Sequence, residues 1–490
     1  MERIHNKKHR NLKILFTTPP YNEQFRDRDV MHLFPSLGLL YLISNTKKFF
    51  PGIETTYFEG NCFLKNYVET ILKMSPDIIA ISVSFFNSQE AIRAINDIKR
   101  HMKKTFIIVG GPYATSSPEI ILKKSNADVC VIGEGEKTFI ELLKFIRGEI
   151  KKQDSIKGIA FRKRNKIIIT PKRDLETNLD KYPFPYWDAI NIKDYPDYFY
   201  HKKTPEMIFI SSRGCPFNCN FCSNPVWKVS TPLKRFRSSK NIKEEIRTLV
   251  RKYGVKEIFD YSDEFNIDLK WAYSVCRGIE QLKFEDISFK CMLHASNVTE
   301  ELASSLKKMG TWFVHIGVES GNQTTLDGIG KNLTIKGIVN ACKILKRHKI
   351  KVGGFFILYH IWEKDNKLFY ETTKDVENTL DFAKYLLKKG LLDYISWGFL
   401  IPTPGSRVYE TCKKFHLLTN KNLEEYHNDD MVFSLPDVKE AEMKKIKFKG
   451  MMLEGLNAVK KGNVNLKQLK YIFQKVLTMM KYAIESSLAK

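Results

Sequence analysis

Apolar positions in the first third of the chain fall in short runs that alternate with stretches of helical periodicity. KILFTTPP (13–20) predicts a buried strand closed by prolines, and SLGLLYLISNTKKF (36–49) follows with the period of a helix. IETTYFE (53–59) and the helical NYVETILKM (66–74) repeat the pair, as do DIIAISVSF (77–85) and EAIRAINDIKRHMKK (90–104). FIIVGGPYA (106–114) and DVCVIGEGE (128–136) are strands that run straight into glycines, the second followed by the helix EKTFIELLKFIRG (136–148). Continuously apolar strands separated by helices are those of a parallel sheet covered on both faces. The expectation for 1–150 is a Rossmann-like, doubly wound α/β domain.

The pattern changes over 151–204. GIAFRKRNKIIITPK (158–172) predicts a small hairpin, and KYPFPYWDAINIKDYPDYFY (181–200) a linker whose aromatic residues pack between domains. Strand–helix alternation resumes at 205, with strands in MIFIS, KEIFDYS, ISFKCML, WFVHIGV, KVGGFFIL and DYISWGFL. Six such units over 205–414 predict a partial (β/α)6 barrel of the TIM type. From 415 to 490 the strands stop. EAEMKKIKFKGMMLEGLNAVKKG and LKQLKYIFQKVLTMMKYAIESSL there predict basic amphipathic helices.

A chain of 490 residues has room for about three domains. Its 43% hydrophobic and 12% aromatic content excludes a disordered polymer. No apolar run is long enough for a membrane helix, and the charged N-terminus lacks the apolar core of a signal peptide, so a cytoplasmic protein is expected. The net charge of +25 invites an anionic partner. The lysines are nevertheless spread over many helices, which reads as general surface charge and weighs against nucleic acid. Cys62, Cys130, Cys276, Cys291, Cys342 and Cys412 stand singly, as reduced thiols in a cytosolic interior do.

The other three cysteines form SSRGCPFNCNFC (211–222), in which Cys215, Cys219 and Cys222 are spaced C-x3-C-x2-C. The triplet follows the first barrel strand and so falls at the C-terminal mouth, where barrels place their chemistry. Three thiolates can hold three irons of a [4Fe–4S] cluster and leave the fourth open. Zinc is an alternative that needs a fourth ligand, such as His201 or His294. Three structurally idle thiols are another.

GCPFNCNFC, with the aromatic Phe221 before its last cysteine, resembles the motif of the radical SAM superfamily. The resemblance implies a cluster whose open iron chelates S-adenosylmethionine, which one electron cleaves to a 5′-deoxyadenosyl radical. It extends over most of 205–412. FRSSKNIKEEIRTLVRKYGVKEIFDYSDEFNID is similar to the second unit of that family, which implies that Asp263 and Glu264 lie near the methionine amino group. HIGVESGNQTTLDGIGK resembles the segment near the cofactor ribose, so Glu319 and Ser320 are carried over, and IPTPGSRVYE resembles the turn on the adenine side. Two departures stand out. YHIWEKDN replaces the usual turn after the fifth strand, and His294 occupies a position that is often arginine, so a carboxylate contact is not carried over there.

The N-terminal stretches PPYNEQ, FPSLGLLYL, IAISVSF, VGGPYATSSPE and VCVIGEGEKTFIELL are similar in order and interval to those of cobalamin-binding radical SAM proteins. Glycine turns at strand ends let backbone amides approach a bulky ligand. The resemblance implies that Ser82, Ser84, Gly110, Gly111, Pro112, Gly133, Glu134 and Gly135 line that crevice. No G-x-G-x-x-G follows a first strand, which argues against a dinucleotide. No D-x-H-x-x-G motif is present, so no protein histidine is expected below the cobalt. The expected activity is cobalamin-dependent methylation of an unactivated carbon of a small molecule, with a flavodoxin or ferredoxin as electron donor. A cyclase or rearrangement enzyme of the same family is the alternative. A tRNA methylthiolating enzyme would carry a second cysteine trio, and only Cys62 and Cys130 precede this one. A corrinoid-binding regulatory module would not need the cysteines for cleavage of S-adenosylmethionine.

Overall fold

A computed structural model describes residues 12–21, 34–60, 66–195, 200–224, 231–419 and 432–460. Cys62 and the helix expected over 466–488 lie outside these residues.

The first sheet contains β1 (Lys13–Thr18), β2 (Glu54–Glu59), β3 (Ile78–Ser82), β4 (Phe106–Gly110), β5 (Val129–Val131), β6 (Ile159–Lys163) and β7 (Lys166–Ile169), in the order β2-β1-β3-β4-β5-β6-β7. β1 to β5 pair in parallel, and the doubly apolar strands Ile78–Ser82 and Phe106–Gly110 occupy the centre. The hairpin expected in the linker instead extends this sheet, because β6 pairs antiparallel with β5 and β7 with β6. Ile159 and Phe161 are buried on one face and Ala160 on the other, so this strand needed a sheet covered on both sides. Further along, Trp187 is 2% exposed and donates Nε1–H to Glu245 at 3.2 Å, while the Tyr186 amide bonds Leu40 O at 3.1 Å. The aromatic linker thus packs against both halves of the molecule.

A two-stranded ribbon of β9 (Ser212–Arg213) and β10 (Arg235–Phe236) stands beside the second sheet. That sheet contains β8 (Glu206–Phe209), β11 (Glu257–Asp260), β12 (Ser288–Leu293), β13 (Thr311–Glu319), β14 (Lys351–Leu358) and β17 (Tyr394–Phe399). All pairs are parallel, in the order β17-β14-β13-β12-β11-β8, and the end strands β8 and β17 do not pair. The result is an open six-stranded barrel. Helices such as Ser239–Tyr253, Glu300–Met309 and Ile335–Arg347 cover it, each with a serine or threonine N-cap accepting an amide of the first turn. YHIWEKDN forms a hairpin, β15 (Ile361–Lys364) with β16 (Lys367–Tyr370), in which Trp362 stacks on Phe369 at 5.9 Å. After the last strand the described chain ends in the helix Glu440–Lys460. Among the described residues no helix is long and apolar enough to cross a membrane.

A candidate cofactor site between the two sheets

The cysteine loop leaves β9 through Gly214, whose φ of +84° is left-handed and whose hydrogen faces Leu233 O with no room for a Cβ. Three separate loops then hold it. The Asn220 amide bonds Ile329 O at 2.9 Å, its side-chain Nδ2 donates to Ile361 O of the β15 hairpin at 2.7 Å, and its carbonyl accepts from Val408 N at 2.9 Å. Arg407 adds a bond to Asn218 O at 2.6 Å. The hairpin that departs from the family pattern therefore supports the cysteine loop directly.

Cys215 and Cys219 are 9% exposed and Cys222 is half-buried, and no disulfide forms among the eight described cysteines. Burial pushes the Cys215 thiol up to about 12 and the Cys219 thiol to about 11, so both are protonated when nothing ligates them. Buried cations offset this: Lys234 faces Cys215 and Lys331 faces Cys219. Among the described residues no three His, Cys, Asp or Glu side chains converge where a single metal ion would sit. The three cysteines share one loop, and in an iron–sulfur cluster each thiolate takes its own iron.

The acidic turn after β11 lies alongside. Asp260 accepts from Ser211 and Ser262, and Ser262 Oγ in turn accepts the amides of Ser211 and Ser212 at 2.9 and 3.1 Å, which locks the turn to the start of the cysteine loop. Asp263 accepts Asn224 Nδ2 at 2.9 Å. Glu264 Oε2 is buried with no hydrogen-bond partner among the described residues. Burial, opposed by Lys331 and Lys234, pushes that carboxyl up to about 7. Glu319 adopts φ +64° and pairs with Lys331 at 2.9 Å. Ser320 turns inward: its Oγ donates to Glu371 at 2.7 Å and lies 3.1 Å from Thr379 Oγ1. Phe221 packs on His360 at 5.4 Å.

Across from these groups the glycine edges of the first sheet open a cleft with about 1240 Å³ of space, measured out to solvent. Ser82, Gly110, Gly111, Gly133, Glu134 and Gly135 all line it, and so do Gly214 and Asp263. Gly111 has φ +93°, and a Cβ there would lie 2.7 Å from Val83 O. Ser84 and Pro112 stand just behind the edge: Ser84 caps the turn through Asn87 Oδ1 at 2.8 Å, and Pro112 opens the helix Pro112–Ser116. Glu134 does more than line the cleft. Arg235 grips its carboxylate at 2.6 and 3.0 Å, Arg213 approaches it at 3.5 Å, and Arg213 also binds Glu136 at 2.6 Å. Despite burial, the two arginines hold Glu134 below the usual carboxylate range. Arg213 and Arg235 face each other across the β9–β10 ribbon, so this network ties the glycine turn of one sheet to the cysteine loop of the other.

Nothing local in the sequence marks Arg213, Arg235, Lys234 or Lys331 as site residues. The fit of the glycine edge to a flat, bulky ligand is structural: backbone lines the rim, and no histidine lines the cleft among the described residues.

The Radical SAM superfamily model matches residues 209–383 and the B12 binding domain model matches 29–143. An uncharacterized methyltransferase of Pyrococcus horikoshii is 30% identical over 427 residues, covering 86% of this chain and 88% of that protein. The anaerobic magnesium-protoporphyrin IX monomethyl ester cyclase of Cereibacter sphaeroides is 25% identical, covering 81% of this chain and 63% of that one. Among solved structures, the cobalamin-dependent S-adenosylmethionine radical enzyme OxsB superposes with a TM-score of 0.71 at 18% identity, over 95% of this chain and 71% of that one. The chain belongs to the cobalamin-binding branch of the radical SAM superfamily. Its cofactors are a [4Fe–4S] cluster, S-adenosylmethionine and cobalamin.

Proposed function

We propose that the protein is a methyltransferase acting on an unactivated carbon of a small molecule. The observation that carries this reading is the shared cleft, in which Gly110, Gly111 and Gly133 face Gly214 and Asp263 across one space. When bound, the cluster and S-adenosylmethionine supply a 5′-deoxyadenosyl radical, and cobalamin carries the methyl group.

The residues of the chain hold, orient and shield these groups. Cys215, Cys219 and Cys222 ligate the cluster. Asp263 and Glu264 would receive the methionine amino group, and an ammonium beside Glu264 would draw its raised pKa back down. Glu319 and Ser320 shape the ribose side. The glycine edge with Ser82, Glu134 and Gly135 would admit the corrin ring, and Ser84 and Pro112 brace that edge. A flavodoxin or ferredoxin supplies the electron in the cytoplasm.

A methyltransferase name on the Pyrococcus relative supports the reading, and the cyclase likeness sets its rival. Anaerobic turnover with methyl-deuterated S-adenosylmethionine separates them. Substrate-dependent formation of both S-adenosylhomocysteine and 5′-deoxyadenosine, with label in the product, is the expected result. Formation of 5′-deoxyadenosine alone would favour cyclisation or rearrangement.

A further inference from the structure

A second cavity opens at the other end of the barrel, with about 820 Å³ of space measured out to solvent. Trp312 near the start of β13 and Lys351 at the start of β14 line it. Tyr200 and Lys202 join them from the linker, Lys307 from the helix Glu300–Met309, and Lys349 from the turn before β14. β14 runs eight residues from Lys351 to Leu358, so the cavity stands roughly 23 Å from the mouth that carries the cysteine loop. It shares no lining residue with the cofactor cleft.

Four ammonium groups meet in this space, and no carboxylate lines it. Lys202, Lys307, Lys349 and Lys351 make no ion pair and no side-chain hydrogen bond among the described residues. Acids on neighbouring elements are held elsewhere: Glu257 by Lys290 and by the amides of Lys202 and Lys203, Asp286 by Lys203 and Lys256, and Glu300 by Arg347 and His348. The backbone fixes where the lysines stand. Tyr200 is buried against Phe313 with ring centres 4.6 Å apart, and its carbonyl accepts from Lys290 Nζ at 3.0 Å, which pins the segment that carries Lys202. Lys349 sits at φ +57°, a conformation glycine adopts more readily. Lys351 Nζ lies 5.6 Å from the centre of the Trp312 ring, and Trp312 Nε1 is buried with no hydrogen-bond partner among the described residues. Ammonium and indole N–H groups only donate, so their complement is rich in acceptors. Like charges gathered without a counter-ion repel one another, and a multiply charged anion relieves that repulsion. Lysines act on phosphate oxygens as point charges.

We propose that this cavity binds a chain of phosphates, carried by an inorganic polyphosphate or by a nucleoside triphosphate, at a site separate from the cofactors of the reaction. Lys202, Lys307, Lys349 and Lys351 supply the charge, and Trp312 Nε1 supplies a fixed donor.

The test is isothermal titration calorimetry of sodium tripolyphosphate, and separately of ATP, into anaerobically reconstituted protein saturated with S-adenosylmethionine and cobalamin, so that the cofactor cleft is filled. Wild-type protein is expected to bind tripolyphosphate at one site. K349M/K351M should bind it at least about tenfold more weakly, since one charge-assisted hydrogen bond is worth about tenfold or more. W312F, which keeps a ring and removes the Nε1 donor, should weaken it by about three- to tenfold. K73M/K123M removes the same charge from helices of the first domain and should bind as wild type does. ATP binding more tightly than tripolyphosphate supports the proposal with a nucleotide as the source, and equal affinities support it with the phosphate chain alone recognised. Wild-type protein that binds neither compound overturns the proposal. So does equal weakening in K349M/K351M and K73M/K123M, which would reduce the effect to net charge.

Discussion

Cys219 and Cys222 are joined through a tight turn in which the Cys222 amide bonds Cys219 O at 3.3 Å. Replacing either with alanine leaves that backbone bond intact while removing one ligand. Each variant is expected to unfold at close to the wild-type temperature in the metal-free state, yet to lose cluster absorbance and all cleavage of S-adenosylmethionine. Glu371 gives a second prediction at this scale. Burial pushes its carboxyl up to about 7, although it accepts from Ser320 Oγ and from the His360 amide at 2.7 and 3.0 Å. The folded state therefore binds a proton that the unfolded state releases near the ordinary value of 4.5, so this group makes stability fall as pH rises from about 4.5 to 7. E371Q should flatten that slope by up to about 3 kcal/mol, read as the difference between wild-type and variant unfolding curves across pH. An identical slope in the two proteins would contradict the buried, protonated carboxyl.

Among the elements, those with an unbroken apolar run were legible from periodicity. All six barrel strands and the five parallel strands of the first sheet form where their runs predict. The β6–β7 hairpin was legible as a hairpin but not as part of a sheet, because its partner β5 is antiparallel to it and nothing in a period-two pattern names a partner. The helices Pro112–Ser116, Pro118–Lys124 and Leu269–Glu280 were not anticipated; the first two are short and divided by Ser117. For the site, the cysteines and the glycine edges were legible because their chemistry sits in local spacing. Lys331 was not, since its place depends on a register shift in a strand twelve residues earlier and on a histidine from another loop. Gly111 belongs to the legible class and can be tested as an element. At φ +93°, with Val83 O only 2.7 Å from where an alanine methyl would sit, G111A should destabilise the protein by about 1–3 kcal/mol and weaken cobalamin binding in dialysis. Unchanged cobalamin affinity would remove Gly111 from the ligand edge.

At the scale of the whole molecule, one apolar core includes residues of both sheets, and opposite charges join them at the cleft. Arg235 is 4% exposed and holds Glu134 bidentately, so its loss leaves a largely buried carboxylate, 16% exposed, with only the longer contact to Arg213. R235M is expected to cost about 3–5 kcal/mol in urea unfolding, and the double variant R235M/E134Q to recover part of that, because it removes the stranded charge. Strict additivity of the two changes would mean that the pair is not coupled. The same network connects the turn that would hold the corrin with the loop that would hold the cluster, so R235M should also lose cobalamin more readily than wild type.

Cys215, Cys219 and Cys222 are proposed to hold the [4Fe–4S] cluster that binds S-adenosylmethionine. Electron paramagnetic resonance of anaerobically reconstituted, dithionite-reduced protein tests it most directly. The expected result is a cluster signal that changes when S-adenosylmethionine is added and is absent from the triple alanine variant. Stoichiometric zinc with no such signal, or a signal indifferent to S-adenosylmethionine, would contradict it.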